Sequence, residues 1–201
     1  MHRLPTAKSQ YATMNSSDDF YAKIQRARLR VKPPIAETEV TKFEVEAGVL
    51  IPQDYRSFLI NVANGGIEPC RLVSLSDWCA SYWIDGPKPQ MVAEPCIITP
   101  DAYDQGEHWL DAANVPNWRT RWDSNEWDPM FGTIAIAEIG CGLYFSMIMT
   151  GAFRGRIFSW GDHALNPPFV YPEQSFAEWF GKCLDATLVG EPVLFLNGRI
   201  R

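Results

Sequence analysis

The stretch that decides the fold is Val49-Leu50-Ile51-Pro52-Gln53-Asp54-Tyr55-Arg56-Ser57-Phe58-Leu59-Ile60-Asn61-Val62-Ala63-Asn64-Gly65-Gly66. Pro52 suits the first turn of a helix, because its missing N–H would have no partner there in any case. Apolar side chains then recur at helical spacing, at Tyr55, Phe58, Leu59 and Val62. Asn and Gly tolerate the left-handed conformation that closes a helix, so Asn64-Gly65-Gly66 predicts its end.

Two further helices are predicted upstream of this stretch. Glu37–Ala47 places Val40, Phe43 and Ala47 on one face, and Gly48 is the expected terminator. Ser16-Ser17-Asp18 is a predicted cap for a helix that ends at Pro33-Pro34 and whose apolar side comprises Phe20, Ile24, Ala27 and Val31. Residues 1–15 show no periodicity, so we predict a disordered tail there and a single domain over residues 16–201.

The spacing of apolar residues changes to two after Gly132, which predicts strands over residues 133–137, 143–149 and 156–160. Ser175 and Glu178 form a predicted capping box for a helix with the apolar stripe Phe176, Trp179, Phe180, Cys183 and Leu184. Residues 70–75 predict a first strand, and residues 188–196 an edge strand. Helices before and after an antiparallel meander predict an α+β fold in which the helices pack on the sheet.

The order of these motifs resembles the SMI1/KNR4 family, also called the SUKH superfamily. Its pattern is an acidic helix, a Gly, a Leu-Pro-x-x-Tyr helix and Asn-Gly-Gly, followed by four later motifs. Those are present here as Ile139-Gly140-Cys141-Gly142, Gly151-Ala152-Phe153-Arg154-Gly155, Trp160-Gly161-Asp162 and Ser175-Phe176-Ala177-Glu178-Trp179. The resemblance covers residues 37–185 but fits poorly over residues 76–128. It implies structural roles for Pro52, Tyr55, Phe58, Leu59, Asn64, Gly65, Gly66, Gly140, Gly142, Gly151, Gly155 and Trp179.

The net charge of −6 is divided unevenly along the chain. Residues 1–34 carry seven basic and two acidic side chains, whereas residues 76–128 carry ten acidic and three basic ones. An acidic surface repels nucleic acid and attracts basic proteins. Gln25, Arg26, Arg28 and Arg30 of the first helix would be able to contact phosphate, but such residues more often keep a helix soluble. We therefore expect a protein partner with a basic surface, and no nucleic acid.

Residues 76–128 form an insertion that holds six of the eight tryptophans. A loop of that length inside a compact domain is unusual unless it carries function. Aromatic side chains exposed among carboxylates favour a partner-binding surface. The candidate residues are Asp101, Asp104, Glu107, Trp109, Trp118, Trp122 and Glu126. The alternative is that the rings fold the insertion back onto the sheet and that the carboxylates form a solvated face.

The sequence predicts no catalytic, metal or cofactor site. The three histidines share no ligand spacing, and neither Cys-x-x-Cys nor a phosphate-binding glycine motif occurs. Cys141 with His163 as its base would suit nucleophilic catalysis, but packing is the simpler role for such a Cys. Five cysteines at unrelated spacings predict reduced thiols, and no run approaches the roughly 20 apolar residues of a membrane span. We expect a cytoplasmic protein with no membrane partner.

The resemblance implies a binding protein rather than an enzyme. Bacterial members of the family resemble immunity proteins, which bind and neutralise a cognate toxin from neighbouring cells. Fungal members resemble regulatory scaffolds of cell-wall synthesis with disordered extensions, which we do not expect here. An immunity protein is therefore the favoured interpretation. A scaffold without a toxin partner and an enzyme using Cys141 and His163 are the alternatives.

Overall fold

The computed structural model describes residues 7–66, 71–77, 89–124, 126–140, 143–161 and 167–191. The helices are α1 (Ala7–Arg26), α2 (Glu37–Ala47), α3 (Gln53–Asn61), α4 (Trp109–Ala112), α5 (Trp118–Asp123) and α6 (Phe176–Leu188). Two 3₁₀ helices, Pro89–Ala93 and Pro100–His108, precede α4. The strands are β1 (Thr133–Gly140), β2 (Leu143–Ile148), β3 (Ile157–Trp160) and β4 (Phe169–Val170).

The strands form one antiparallel sheet in the order β1-β2-β3-β4, so the predicted meander is confirmed. Met147 of β2 is paired with Ile157 of β3, and both side chains belong to one hydrophobic core. Ile148 and Phe158, one position further along each strand, belong to a second core. Successive residues of a strand point to opposite faces of the sheet. Both faces are therefore buried, and different parts of the chain cover them.

The helices that flank the sheet in sequence cover its first face. The ring centroid of Phe20 in α1 lies 5.9 Å from that of Phe58 in α3 and 5.5 Å from that of Phe180 in α6. Trp179 of α6 reaches the sheet, with its ring centroid 5.1 Å from that of Phe145 in β2. The apolar faces of α1, α3 and α6 thus meet one another and the sheet, which confirms the α+β fold.

The insertion covers the second face of the sheet. Its residues in the second core are Ile98, Ala102, Trp109, Leu110 and Trp127, and Met130 of the same core follows just after it. They pack against Ile148, Phe158, Trp160 and Val170 of the strands. Part of the insertion therefore folds back onto the sheet, which is the alternative interpretation of its tryptophans. The large aromatic rings supply the apolar area that such a segment needs to stay in place without long helices of its own.

The Asn64-Gly65-Gly66 turn brings the chain from α3 to the sheet. The Leu75 N–H donates a hydrogen bond to the Asn64 side-chain oxygen, over 2.8 Å. Gly65 has a φ of 93°, and a Cβ at this position would lie only 2.8 Å from the backbone nitrogen of Ser74. Glycine is required here because a side chain would meet both a strained backbone and a steric clash.

Residues 71–75, which follow the turn, run beside β1 without forming a regular strand. The Gly66 N–H donates to the Leu72 carbonyl over 2.8 Å, and Leu72 forms an isolated bridge with Ala137 of β1. The Val73 N–H donates to the Ile136 carbonyl over 2.9 Å. The predicted first strand is thus reduced to a short contact at the edge of the sheet, because the turn itself takes up the hydrogen bonds at its start.

α1 differs from the prediction at both ends. It begins at Ala7, within the predicted tail, rather than at a cap near Ser16; residues 7–14 are rich in Ala, Lys, Gln and Met, which favour helix. It also ends well before the predicted proline stop. The Leu29 N–H donates to the Ile24 carbonyl over 3.1 Å, and Arg28 adopts a φ of 52°. This helix end normally uses glycine, so the sequence carried no signal for it.

Other predicted boundaries are close to the observed ones. α2 has the predicted bounds, and Gly48 closes it with a φ of 67°. Pro52 has an extended ψ of 134° and precedes α3 as its N-cap instead of lying in the first turn. The predicted edge strand over residues 188–196 does not begin as proposed, because Leu188 ends α6; residues 192–196 lie outside the described residues.

Candidate partner-binding site

The 3₁₀ helix Pro100–His108 presents three of the predicted site residues to solvent. Asp101, Asp104 and Glu107 are exposed, whereas Ala102 is buried in the second core. Side chains three residues apart eclipse each other in a 3₁₀ helix, so Asp101 and Asp104 lie on one face. Gly106, with φ 56° and ψ −140°, then kinks the chain before Glu107. We call Asp101, Asp104 and Glu107 the acidic platform.

The charge of the acidic platform is not compensated nearby. Residues 89–118 contain five carboxylates and neither Lys nor Arg. Within the part of the chain that the structure describes, the three platform carboxylates form no ion pair, unlike Asp111, which pairs with Arg119 at 3.2 Å. Exposed carboxylates without counter-charges create a negative potential that extends about one Debye length, roughly 8 Å in physiological salt.

The prediction that Trp109 is an exposed contact residue is wrong. Trp109 was expected to be an exposed anchor for a partner, but its side chain is only 1% exposed and lies in the second core. Its Nε1 has no hydrogen-bond partner among the described residues. The burial arises because α4 follows the platform directly and turns its first residues toward the sheet. Trp109 therefore holds the acidic platform in place from below and is not available for contact.

Trp118, Trp122 and Glu126 lie on and just beyond α5. Both tryptophans are half-buried, with ring centroids 6.5 Å apart and ring planes at 68°, and Glu126 is exposed. The Trp118 Nε1–H donates to Asp111 over 2.8 Å, and this bond together with Arg119 lowers the pKa of the Asp111 carboxyl. These local pairs engage the Trp118 Nε1–H and the Asp111 carboxylate, and both rings are partly buried, so the two tryptophans form a less open surface than the platform.

The residues to which the resemblance assigns structural roles are core and turn residues. Those buried in the first core are Tyr55, Phe58, Leu59 and Trp179. Gly155 lies against Pro52, where a Cβ would come within 3.8 Å of the proline ring. Gly140 is the last residue of β1, and Gly151 has a φ of 81° in the turn between β2 and β3. Gly142 lies outside the described residues.

The catalytic alternative rests on residues whose structure is not described. Cys141 and His163 both lie outside the described residues. Among the residues that are described, no group of three His, Cys, Asp or Glu side chains is arranged to hold a metal ion. Of the described helices, none combines the length and the apolar composition that crossing a membrane requires.

Two residues of this region had no signal in the sequence. Tyr103 is 43% exposed on the 3₁₀ helix that carries the platform, whereas residue type alone favours the tryptophans as exposed contacts. Asp128 is largely buried beside Trp127 and accepts a hydrogen bond from the Met130 N–H over 2.7 Å. Burial raises the pKa of Asp128 to about 6, and this hydrogen bond only partly opposes the rise. Neither feature can be inferred from residue type, because each depends on what the fold places around the side chain.

Replacing Asp128 with Asn should stabilise the protein at neutral pH. The folded-state pKa of about 6 lies above the ordinary 3.8, so the protonated carboxyl favours the folded state. The stabilisation of the folded state by the protonated Asp128 carboxyl is present below about pH 4 and is lost as the pH rises through about 6. We expect a gain of about 1 to 2 kcal/mol at pH 7, after allowance for burying an amide. Urea unfolding at about pH 4 and about pH 7 measures it; equal pH dependence in both proteins would contradict the assignment.

One family comparison agrees with this architecture. A family model described as the SMI1 / KNR4 family (SUKH-1) matches residues 34–182, which span α2 through the first half of α6 and include most residues of both cores. No curated protein and no solved structure matches the chain. Because the matched residues make up well over half of the 201, the resemblance seen in the motifs is confirmed. The chain belongs to the SMI1/KNR4 (SUKH-1) family.

Proposed function

We propose that this chain is an immunity-type protein that binds and neutralises a cognate bacterial toxin with a basic surface. The observation that carries the proposal is the acidic platform, which is exposed, forms no ion pair with the described residues and is mounted on a buried support. The family resemblance supplies the class of partner, since bacterial members resemble immunity proteins. The action is non-catalytic and cytoplasmic in this proposal: the bound protein covers the toxin surface and excludes its substrate.

The support beneath the platform favours binding. Ala102, Trp109 and Leu110 are buried against the sheet at exposures of 5%, 1% and 1%. A surface that is already held in its bound geometry loses little conformational entropy on association. The carboxylates are thus presented by a fixed segment, although that segment is a 3₁₀ helix rather than a long α-helix.

The platform charges act mainly before contact. Complementary charge speeds the diffusional encounter of two proteins and fixes their orientation, whereas it adds less to the stability of the docked complex. The effect weakens as salt screens the charges. An immunity protein needs fast capture, because a free toxin acts until it is bound.

The first experiment tests protection and binding directly. The genes beside that of this chain are searched for a toxin-like reading frame, and the absence of one favours the scaffold alternative. If one is present, its toxin domain is expressed in a susceptible bacterium with and without the chain, and the purified pair is tested for complex formation. Restored growth together with a complex supports the proposal. Growth arrest in both strains and no complex would contradict it and favour the scaffold alternative.

Neutralising the platform should slow association with that toxin domain. The variant carries Asp101→Asn, Asp104→Asn and Glu107→Gln. We expect the association rate constant at low salt to fall roughly tenfold or more, and its dependence on salt to flatten, because steering by charge commonly contributes tenfold to a thousandfold. Stopped-flow or surface-based kinetics at two ionic strengths measures both effects.

A matched variant distinguishes the effect of the platform charges on the association rate from the effect of the net charge. Asp18→Asn, Glu39→Gln and Glu191→Gln remove three other exposed carboxylates and change the net charge by the same amount. We expect this control to associate at close to the wild-type rate. Equal slowing in both triple variants would mean that only net charge matters. Wild-type rates in both folded variants would place the interface elsewhere, on the Asn64-Gly65-Gly66 turn or on α1.

A further inference from the structure

An exposed aromatic ring lies on the same 3₁₀ helix as the acidic platform. Of the aromatic side chains that the structure describes, Tyr21 and Tyr103 are the exposed ones, at 54% and 43%. Tyr103 lies between Asp101 and Asp104 on the 3₁₀ helix. Tyr21 lies on α1, whose last turn carries basic residues. Tyrosine is enriched among the residues that dominate binding energy in interfaces, because it offers a large contact area with few rotatable bonds.

The Tyr103 ring is already held in place. Its centroid lies 5.3 Å from that of Phe169 in β4, with the two ring planes at 86°. Phe169 in turn makes an edge contact with Tyr171, at 5.3 Å between centroids. Tyr171 is 1% exposed in the first core, so a chain of rings connects Tyr103 to the interior. One part of the Tyr103 ring is supported, while the rest faces solvent and needs little ordering on binding.

The surroundings of the Tyr103 ring favour contact with a positively charged side chain. Asp101 and Asp104 lie within two residues of Tyr103 on the same 3₁₀ helix and have no ion-pair partner among the described residues, and the face of an aromatic ring also attracts cations. Arginine suits this combination better than lysine, because its planar, weakly hydrated guanidinium stacks on a ring while it donates paired hydrogen bonds to carboxylates.

We infer that Tyr103, on the same 3₁₀ helix as the acidic platform, is an aromatic contact residue of this surface and that it packs against an arginine side chain of the partner protein. The inference rests on the proposed function for the identity of that partner and goes beyond it in naming the contact. It replaces Trp109, which is buried, as the aromatic anchor. The carboxylates steer the partner to this surface, and the tyrosine ring holds the guanidinium after docking.

The test uses two peptides of equal charge. One alternates arginine with glycine, and the other has lysine in place of every arginine. Binding to the full chain at low salt is measured by calorimetry or NMR titration. Wild-type protein should prefer the arginine peptide by about two- to fivefold, the range expected of an exposed cation–π contact. Tyr103→Ala should lose this preference, and Tyr103→Phe, which keeps the ring, should retain it.

Controls exclude a general effect of losing a tyrosine. Tyr21→Ala should keep the arginine preference, because that ring lies outside the platform. The ring signals of Tyr103 in wild-type protein should shift more with the arginine peptide than with the lysine peptide, a readout that needs no variant. Equal affinity of the two peptides for the wild type, or an unchanged preference in Tyr103→Ala, would overturn the inference.

Binding of the toxin domain tests the role of Tyr103 independently of the peptides. If it binds, Tyr103→Ala should speed its dissociation while association stays near the wild-type rate, since contacts made after docking act on dissociation. If wild-type protein shows the arginine preference but does not bind the toxin domain, the proposed function fails and the role of Tyr103 stands. Binding of the toxin with unchanged dissociation in Tyr103→Ala would leave the function intact and remove Tyr103 from the interface.

Discussion

Replacing Trp109 with alanine should destabilise the fold by about 3 to 5 kcal/mol, the usual cost of removing a buried aromatic side chain. Trp109 is 1% exposed at the centre of the second core, where α4 packs on the sheet. Its loss would leave a cavity beneath the acidic platform that small neighbours such as Ala102 cannot fill. Urea unfolding followed by circular dichroism measures the change in the free energy of unfolding.

Two further variants define the role of this residue. Trp109→Phe should cost much less than Trp109→Ala, because it keeps most of the ring and removes an Nε1–H that has no partner among the described residues. Trp122→Ala should also cost less, because Trp122 is only half-buried. Wild-type stability in Trp109→Ala, with faster loss of a bound partner, would instead support the original interpretation of Trp109 as an exposed anchor.

Replacing Phe58 with alanine should cost a similar 3 to 5 kcal/mol, about the range for a buried phenylalanine. Phe58 is 1% exposed, and its ring centroid lies 5.0 Å from that of Phe176 and 5.2 Å from that of Phe180. The substitution removes the ring through which α3 contacts both α1 and α6. The free energy of unfolding in urea and the melting temperature should both fall.

Leu50→Ala is the matched control for Phe58→Ala. Leu50 belongs to the same stretch of sequence but is 68% exposed, so its truncation should change the free energy of unfolding by no more than about 0.5 kcal/mol. An unchanged melting temperature in Phe58→Ala, or equal destabilisation by the two substitutions, would contradict the placement of α3 at the centre of the first core.

The two hydrophobic cores have different structural roles. The first core contains Tyr55, Phe58, Leu59 and Trp179 of the family motifs and connects the helices to one face of the sheet. The second core fixes the platform on the opposite face. Substitutions at exposed platform positions can therefore alter the partner surface while both cores remain packed, since surface changes usually shift stability by less than about 0.5 kcal/mol.

Features encoded by neighbouring residues were predictable from the sequence. The bounds of α2, the left-handed Gly48 and the alternating strands all depend on local spacing or on the backbone freedom of single residues. The capping box is of the same kind: the Glu178 N–H donates to the Ser175 hydroxyl over 3.2 Å. The family resemblance followed from these features because its motifs are turns and helix ends.

The candidate site was predictable only in part. The position of the acidic residues is a property of the sequence, and their exposure follows from the cost of burying an unpaired carboxylate. The exposure of an aromatic ring has no such constraint, because tryptophan and tyrosine suit both a core and a wet surface. Hence Trp109 and Tyr103, six residues apart, exchange the roles that residue type alone would assign to them.

The sequence by itself thus determined the family, the α+β architecture, the helices around the first core and the excess of negative charge in the insertion. The tertiary structure alone decided that the insertion covers the second face of the sheet, that Trp109 is buried and Tyr103 exposed, and that α1 ends at a left-handed Arg28. The physical reason is that local spacing and turn chemistry act between neighbours in the chain, whereas burial depends on which distant segments come to lie over one another.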